Sequence, residues 1–341
     1  MPIRDRLLAL SVALLWGLNF PAIHVSLEQF PPFFLVALRF ALLAVPTVLL
    51  VPRPDVPLRW LLGYGLGFGV LQFVFLYTAM DSGMPTGLAS LVLQSSAPFT
   101  VLLAGVLLRE RLTAGQLVGI GVAVAGLGGI AVHRAGLAGG ATLVPVLLTL
   151  CGGLGWALGN LANRQARTTE PFRLMLWMTV VPPLPMLALS LVTEGPDRIG
   201  RSLLTVGSPA GLLAVGGLLF TVLVATLVGT GWWTALMSRH PSSTVAPFSL
   251  LVPVVGIGSS WLLLGEATSA TELAWGAVVV AGVLLGSRPA RRRPGTAAAA
   301  PPDAVPDAVP DAVPDAVPGA GPRTGAAAAA AGASQVVVTG R

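Results

Sequence analysis

Long, uninterrupted apolar runs are the feature that most limits what this chain can fold into. Ten such segments are bounded by charges, proline or glycine, and each is near the roughly 20 residues that a helix needs to cross a bilayer. In lipid only a helix or a closed barrel satisfies its own backbone, and the segments are continuously apolar rather than alternating, so helices are predicted. The ten predicted spans are 7–26, 32–51, 60–80, 85–108, 115–132, 142–162, 171–192, 209–231, 241–264 and 271–287.

The overall composition agrees with a polytopic membrane protein. Hydrophobic residues make up 54% of the chain and charged residues only 10%, whereas a soluble domain carries about 25% charged residues. The net charge of +6 comes from arginine alone, since the chain has no lysine. These arginines are scattered between apolar runs, which indicates membrane orientation rather than nucleic-acid binding. The partners predicted are therefore the lipid bilayer and not a nucleic acid. The single Cys151 excludes an intramolecular disulfide.

The first apolar run is predicted to be a transmembrane helix. Arg4 and Arg6 in front of an apolar run are also typical of a signal peptide. The run continues into PAIHVSLEQF without a small-residue cleavage site, and further spans follow. These two features favour the transmembrane helix.

The positions of the arginines predict the orientation of the spans, because cytoplasmic loops are enriched in basic residues. With a cytoplasmic N-terminus, the three arginines on the outer side are Arg134, Arg198 and Arg201. The fourteen on the inner side are Arg4, Arg6, Arg53, Arg59, Arg109, Arg111, Arg164, Arg167, Arg173, Arg239, Arg288, Arg291, Arg292 and Arg293. Both termini are therefore predicted to be cytoplasmic.

The C-terminal part of the sequence changes character after residue 288. RPARRRPG is followed by alanines, by DAVP four times over 303–318, and by a Gly/Ala-rich end. Low-complexity sequence of this kind has little to bury, so a disordered cytoplasmic tail is predicted over 289–341. A solvated extension is preferred to a partner-binding tail. The arginines of 288–293 are predicted to anchor the last helix at the anionic inner leaflet.

Two pairs of similar segments indicate an internal repeat. LLWGLNF at 14–20 resembles LGWALGN at 154–160, with Trp16 aligned on Trp156 and the asparagines one position out of step. LQSSAPFTVLLAGVLLRE at 93–110 resembles SLLVPVVGIGSSWLLLGE at 249–266. Five spans followed by five related spans place the second copy upside down in the membrane, as in many secondary transporters. The predicted fold is all-α, with ten transmembrane helices in a 5+5 inverted repeat of halves 1–136 and 137–288.

Several of these stretches together resemble one family. WGLNF near the N-terminus, LRF at 38–40, GMPTGLASLVLQSSAPFT at 83–100 and VAPFSLLVPVVG at 245–256 are similar to the EamA family of the drug/metabolite transporter superfamily, and within it to cysteine and O-acetylserine exporters. The resemblance covers about residues 1–288. It implies a ten-helix inverted repeat, alternating access through a central cavity, and efflux of amino-acid-like small molecules across the bacterial inner membrane. A homodimer is left open.

Arg39 is the sharpest candidate for a substrate-binding residue. It lies about seven residues into the second span, roughly 10 Å along a helix at 1.5 Å per residue. Charges at such depth are costly and usually face a cavity or a partner. The cavity interpretation pairs Arg39 with a substrate carboxylate or a helix C-terminus. The alternative is an arginine whose side chain reaches the outer headgroups.

Four residues with uncharged amide side chains lie within the spans. The amides of Asn19, Gln72, Gln94 and Asn160 offer donors and acceptors suited to a zwitterion. Hydrogen bonding between helices is the alternative, worth about 0.6 kcal/mol on average. The distribution over four spans favours a shared cavity.

Trp16 and Trp156 lie mid-span, away from the interfacial belt that tryptophan favours. They suit a cavity wall or gate as well as core packing. Trp232 and Trp233, near the inner end of the eighth span, are predicted to be belt residues.

Two prolines occupy near-equivalent places in the two halves, Pro98 and Pro253. Proline breaks or kinks a helix, so a hinge role is predicted for both. Glu110 and Glu266 end their spans and are predicted to cap or anchor helices. Gly-x-x-x-Gly spacings at 63–69, 115–119 and 282–286 predict close helix packing.

Other classes of membrane protein fit the sequence less well. An ATP-driven pump needs a phosphate-binding loop with a lysine, which this chain lacks. No His-Glu-x-x-His, paired intramembrane aspartates or Gly-x-Ser-x-Gly elbow occurs, so no enzyme activity, cofactor or metal is predicted. A channel is the third alternative. A measurement of flux distinguishes the two, because a carrier shows saturable flux with counter-transport.

Overall fold

The computed structural model describes residues 1–109, 112–137, 143–240 and 245–286. The predicted tail 289–341 and Glu110 therefore lie outside the described residues. Over the described ranges the chain is helical and contains no strand, as the apolar patterning predicts.

Eight helices are long and apolar enough to cross a membrane, and two further apolar helices are shorter. The exact ten-span, 5+5 arrangement therefore stays a prediction. In chain order the helices of the described residues are α1 (Ile3–Leu27), α2 (Pro32–Leu50), α3 (Leu58–Asp81), α4 (Thr86–Leu107), α5 (Ala114–Leu137), α6 (Leu143–Gln165), α7 (Pro171–Thr193), α8 (Pro196–Leu204), α9 (Pro209–Leu236), α10 (Phe248–Leu264) and α11 (Ala270–Gly286). The short helix α8 lies between the predicted spans 171–192 and 209–231.

Proline and local irregularity determine where several helices begin and bend. Helices α2, α7, α8 and α9 each begin at a proline, a residue preorganised for the first helical position. Helix α3 contains a π-helical segment, Gly65–Leu71, and α9 contains another, Phe220–Gly229. A 3₁₀ turn, Leu93–Ser95, interrupts α4, and a second, Ala246–Leu251, includes the first residues of α10, which is α-helical from Val252. Such departures from α-helix are frequent at functional sites.

Helices α1 and α6 each pack on several other helices. Helix α1 packs on α9 and α10, α6 packs on α3 and α4, α2 packs on α7, and α5 packs on α11. Many large apolar side chains on the outside are exposed, such as Leu50 at 78% and Val192 at 84%. Apolar exposure on this scale indicates contact with a membrane.

Glycines let two of these helix pairs approach at backbone distance. A Cβ atom on Gly67 of α3 would lie 2.5 Å from the backbone nitrogen of Gly159 in α6. A Cβ atom on Gly119 of α5 would lie 2.5 Å from the Cα atom of Gly286 in α11. No side chain fits at those distances, so close packing at these glycines, as the small-residue spacing predicts, is confirmed.

Two carboxylates hold the N-termini of other helices. Glu194, just after α7, accepts hydrogen bonds from the backbone N–H groups of Phe33 (2.7 Å) and Phe34 (3.0 Å) in the first turn of α2. Glu266, just after α10, accepts from the Thr86 hydroxyl (2.8 Å) and the Gly87 N–H (3.3 Å) at the start of α4. A carboxylate stabilises the positive end of a helix, so the anchoring role predicted for Glu266 is confirmed.

Candidate functional site

A cavity of about 400 Å³ lies between the helices. Side chains from α1, α2, α3, α4, α6, α7, α9, α10 and α11 contribute to its wall. All seven residues predicted to form a substrate cavity lie on this wall: Trp16, Asn19, Arg39, Gln72, Gln94, Trp156 and Asn160. That the cavity receives substrate stays a prediction.

Arg39 is buried in the wall of this cavity, with 5% of its surface exposed. Its Nη1 donates to the Tyr77 hydroxyl (3.1 Å), and its Nη2 donates to the Thr226 hydroxyl (3.0 Å). The guanidinium carbon lies 4.3 Å from the centre of the Phe73 ring and 5.3 Å from that of Phe40, within the range of cation–π attraction. The side chain is thus held inside the helix bundle rather than extended to the headgroups.

Arg39 is the one formally charged side chain among the described residues that line the cavity. The rest of that lining consists of aliphatic, aromatic, amide and hydroxyl side chains. Burying a charge without a counter-charge is costly. The aromatic faces and the two hydroxyls offset part of this cost, and an anion in the cavity would offset more of it.

The π-helical segment of α9 supplies two anchors for the cavity wall. The Thr226 hydroxyl, which accepts from Arg39, itself donates to the Thr221 carbonyl five residues earlier (2.7 Å). The neighbouring Ala225 carbonyl accepts from the Trp16 indole N–H (3.0 Å). The irregular segment therefore connects α9 to both α1 and α2 at the cavity.

The amides predicted to line the cavity differ in their hydrogen bonds. Asn160 on α6 donates to the Thr100 hydroxyl on α4 (3.3 Å), which is the interhelical bond that the alternative interpretation predicts. The side-chain oxygens of Asn19 and Gln72 are buried and have no hydrogen-bond partner among the described residues. Gln94 lies in the 3₁₀ turn of α4. Asn19 and Gln72 therefore line the cavity with side-chain acceptors that the described residues leave unused.

Paired aromatic rings frame the cavity. Trp16 and Trp233 have ring centres 5.2 Å apart, and Trp156 meets Phe68 edge-on at 5.8 Å. Trp233 was predicted to lie in the interfacial belt, and that prediction is wrong, because the side chain turns inward to the cavity wall. Proximity to the end of a span does not determine which way a side chain faces. Trp232 is 39% exposed.

The two predicted hinge prolines both follow 3₁₀ turns. Pro98 lies three residues after Leu93–Ser95, and Pro253 lies two residues after Ala246–Leu251. Both are buried. Their role as hinges stays a prediction, since it concerns a second conformation.

Sequence reasoning missed Tyr77 and Thr226, the two residues that hold Arg39. Tyr77 had a usable signal, because the chain contains only two tyrosines and both lie in one predicted span. A threonine within an apolar run carries no comparable signal. Metal-ligand clusters of three or more His, Cys, Asp or Glu side chains are absent from the described parts of the chain.

A bundle of apolar helices that encloses a cavity with amide and hydroxyl groups and, among the described lining residues, one buried cation defines a class, the polytopic α-helical membrane proteins with an internal cavity. The model of the EamA-like transporter family matches residues 6–132 and 143–288. The chain belongs to this family, and the resemblance seen in the sequence is confirmed. Transport is thus the established activity of its class.

Individual relatives extend this result. The chain is similar to proteins named probable amino-acid metabolite efflux pump in Salmonella typhimurium (42% identity) and Escherichia coli (39%), in each case over 83% of this chain and 94% of the relative. It is also similar to a probable terminal-alkyne amino-acid exporter of Streptantibioticus cattleyicolor, at 28% identity over 80% of this chain and 90% of that protein. A solved crystal structure shares the fold, with a TM-score of 0.54 at 21% identity, covering 84% of this chain and 96% of that one.

Proposed function

We propose that this protein exports amino-acid-like metabolites, such as cysteine or O-acetylserine, across the bacterial inner membrane. The observation that carries the proposal is Arg39, a buried cation with no carboxylate among the described residues of its cavity. A small molecule with a carboxylate would supply the missing counter-charge. The names of the relatives as amino-acid efflux pumps and exporters support the same substrate class and favour transport over catalysis.

The proposed mechanism is alternating access between two inverted five-helix halves, 1–136 and 137–288. The two family matches, 6–132 and 143–288, support these boundaries. The helix packing supports the repeat, because α1 packs on α9 and α10 as α6 packs on α3 and α4. The irregular segments support it too: α3 and α9 have π-helical segments, and α4 and α10 have 3₁₀ turns.

The proposed binding residues are Trp16, Asn19, Arg39, Gln72, Gln94, Trp156 and Asn160, with Pro98 and Pro253 as hinges. All of them belong to one chain, so the proposal does not require a homodimer. With both termini cytoplasmic, Asn163, Pro171 and Thr234 are the lining residues nearest the cytoplasm. In this orientation the cavity extends toward the inner side, as an exporter needs in order to take up its substrate.

The test is export from bacteria that overproduce the protein. External cysteine, O-acetylserine and a panel of other amino acids are measured over time, with the amount of protein in the membrane measured in parallel. We expect overproduction to raise the external concentration and to protect cells from excess of the same compound. If overproduction changes neither the external concentration nor the tolerance for any compound in the panel, the proposed substrate class is wrong. The transported molecule then belongs to another class of small molecule.

Arg39→Ala is expected to abolish this export while the protein remains in the membrane. The matched control is Arg59→Ala, since Arg59 is exposed and lies outside the cavity lining. Near-normal export by the Arg39 variant would contradict the proposed role of this arginine.

A further inference from the structure

We infer that the substrate carboxylate is the obligatory recognition group of this cavity and that a charged ammonium group is dispensable. The inference rests on the proposed function and narrows its substrate class. The cavity then accepts carboxylates whose nitrogen is acylated or missing, alongside ordinary amino acids. It rejects the amides and amines that lack the carboxylate.

The first step is the asymmetry of charge in the lining. Arg39 provides a full positive charge, and none of the other described lining residues provides a negative one. A ligand carboxylate therefore meets a charged partner, whereas a ligand ammonium meets neutral partners only. Hydrogen bonds that involve a charged group are stronger than those between neutral groups. An ammonium without the carboxylate would also be repelled by Arg39.

The second step is the availability of donors on Arg39. The guanidinium carries five N–H donors in a planar fork that matches a carboxylate. Tyr77 and Thr226 each accept one hydrogen bond, at Nη1 and Nη2. The buried Nε has no partner among the described residues. The two hydroxyls thus fix the orientation of the fork without neutralising it, and N–H groups remain for a carboxylate.

The third step concerns the amides that could receive the ligand nitrogen. The side-chain oxygens of Asn19 and Gln72 are buried without a partner among the described residues. These neutral acceptors accept a hydrogen bond from an amide N–H as well as from an ammonium. Acetylation of the nitrogen therefore removes a charge that the site does not require and keeps a donor that it can bind.

The fourth step is space. The cavity volume of about 400 Å³ lies within the range of ligand pockets, roughly 300–1,000 Å³. An acetyl group on a small amino acid fits within such a volume. Aromatic walls at Trp156, Phe68 and Trp16 offer apolar surface for the acyl group. Size therefore does not exclude the acylated compounds that the charge pattern admits.

The experiment compares ligands that differ in one group at a time. Proteoliposomes that contain the purified full-length protein are loaded with L-cysteine and one competitor at a time under reducing conditions, and efflux of L-cysteine is measured. The competitors are N-acetyl-L-cysteine, 3-mercaptopropionate, L-cysteinamide and cysteamine. A parallel set uses L-alanine with N-acetyl-L-alanine, lactate and L-alaninamide, so that the result does not depend on the thiol. Binding of each compound is measured independently by thermal stabilisation of the detergent-solubilised protein.

We expect N-acetyl-L-cysteine and 3-mercaptopropionate to compete within a few fold of L-cysteine. L-Cysteinamide and cysteamine should be about 10- to 100-fold weaker, which corresponds to the loss of one charge-assisted interaction. Arg39→Gln should remove the difference between acids and amides. If that variant fails to fold, the comparison of acids with amides on the unmodified protein tests the inference by itself.

Two outcomes would overturn the inference while the proposed function stands. One is cysteamine or the amides competing as well as the amino acid. The other is the N-acetylated acids losing all binding while the amino acids keep theirs. Absence of binding by every carboxylate in both series, together with absence of amino-acid export from cells, would overturn the proposed function as well.

Discussion

At the scale of single residues, the site is organised around Arg39, a cation for which the described lining residues provide no carboxylate. Among the described lining residues, Arg39 meets hydroxyls at Tyr77 and Thr226 and the face of Phe73, but no carboxylate. A cation–π contact contributes about 0.5–2 kcal/mol, which is less than the cost of burying an unpaired charge. The described lining therefore offsets only part of the cost of burying Arg39, and the carboxylate of the proposed substrate would offset more of it.

The hydroxyl of Thr226 is expected to be needed for tight binding because it orients the guanidinium. Thr226→Val keeps the shape of the side chain and removes the acceptor, so the substrate concentration for half-maximal transport should rise about 10-fold or more. Thr226→Ser retains the hydroxyl and should restore the original value. The measurement is concentration-dependent efflux from proteoliposomes, and an unchanged half-saturation in the valine variant would speak against the positioning role.

Asn19 is expected to matter for transport and not for membrane insertion. Asn19→Leu makes α1 more apolar and removes an amide on the cavity wall whose oxygen has no partner among the described residues. Transport should fall roughly 2- to 10-fold, the range for one neutral hydrogen bond, with the membrane level unchanged. Ser11→Leu on the same helix is the control, because the Ser11 hydroxyl bonds to the Leu7 carbonyl and does not line the cavity. Equal export by both variants would contradict a role for Asn19 in substrate binding.

At the scale of helices, two different devices shape the bundle. Glycines bring α3 onto α6 and α5 onto α11 at backbone distance. In addition, π-helical and 3₁₀ segments interrupt α3, α4 and α9 and form the start of α10, and the segment in α3 includes Gly67 itself. The glycine contacts fix where the helices meet, and the irregular segments place polar backbone and side-chain groups at the cavity. An example of the second device is the Ala225 carbonyl, which accepts from Trp16.

Two glycines on α5 provide a matched test of backbone packing. A Cβ atom on Gly119 would meet backbone atoms of α11, whereas one on Gly121 would meet nothing within 4 Å. Gly119→Ala should therefore lower the thermal midpoint of the purified protein. Gly121→Ala should leave the midpoint unchanged or raise it slightly, since alanine favours helix over glycine by up to about 1 kcal/mol. A Gly119 variant as stable as the Gly121 variant would contradict this contact between α5 and α11.

At the scale of the whole molecule, the distribution of arginines sets the expected orientation in the membrane. Arg53 and Asp197 are both exposed, and the orientation places them on opposite sides. In a Cys151→Ser background, Asp197→Cys should react with a membrane-impermeant maleimide in intact cells. Arg53→Cys should react only after the membrane is permeabilised. The reverse pattern would invert the orientation, and with it the direction in which the cavity extends.

The degree to which the site was predictable differs from residue to residue. Arg39 and the amides stand out because polar groups inside apolar runs are rare and costly, which makes each one visible without knowledge of its neighbours. Tyr77 and Thr226 do not stand out, since hydroxyls are tolerated in membrane helices. Their importance arises only from contact with Arg39, across 38 and 187 residues of sequence. Trp233 was misassigned because the sequence shows how far along the span it lies but not which way its side chain faces. The contact with Trp16 depends on how the helix is rotated in the bundle.

The sequence by itself determined that this chain is an α-helical membrane protein of the EamA-like family, and it placed the polar residues that merit attention. This was possible because the length and continuity of an apolar run are local properties, and lipid admits very few backbone structures. Only the tertiary structure decided that the seven polar and aromatic candidates share one cavity, and that Arg39 is held by hydroxyls without a carboxylate from the described lining. Those outcomes depend on how each helix is rotated and how closely it packs on its neighbours, and contacts between distant segments determine both.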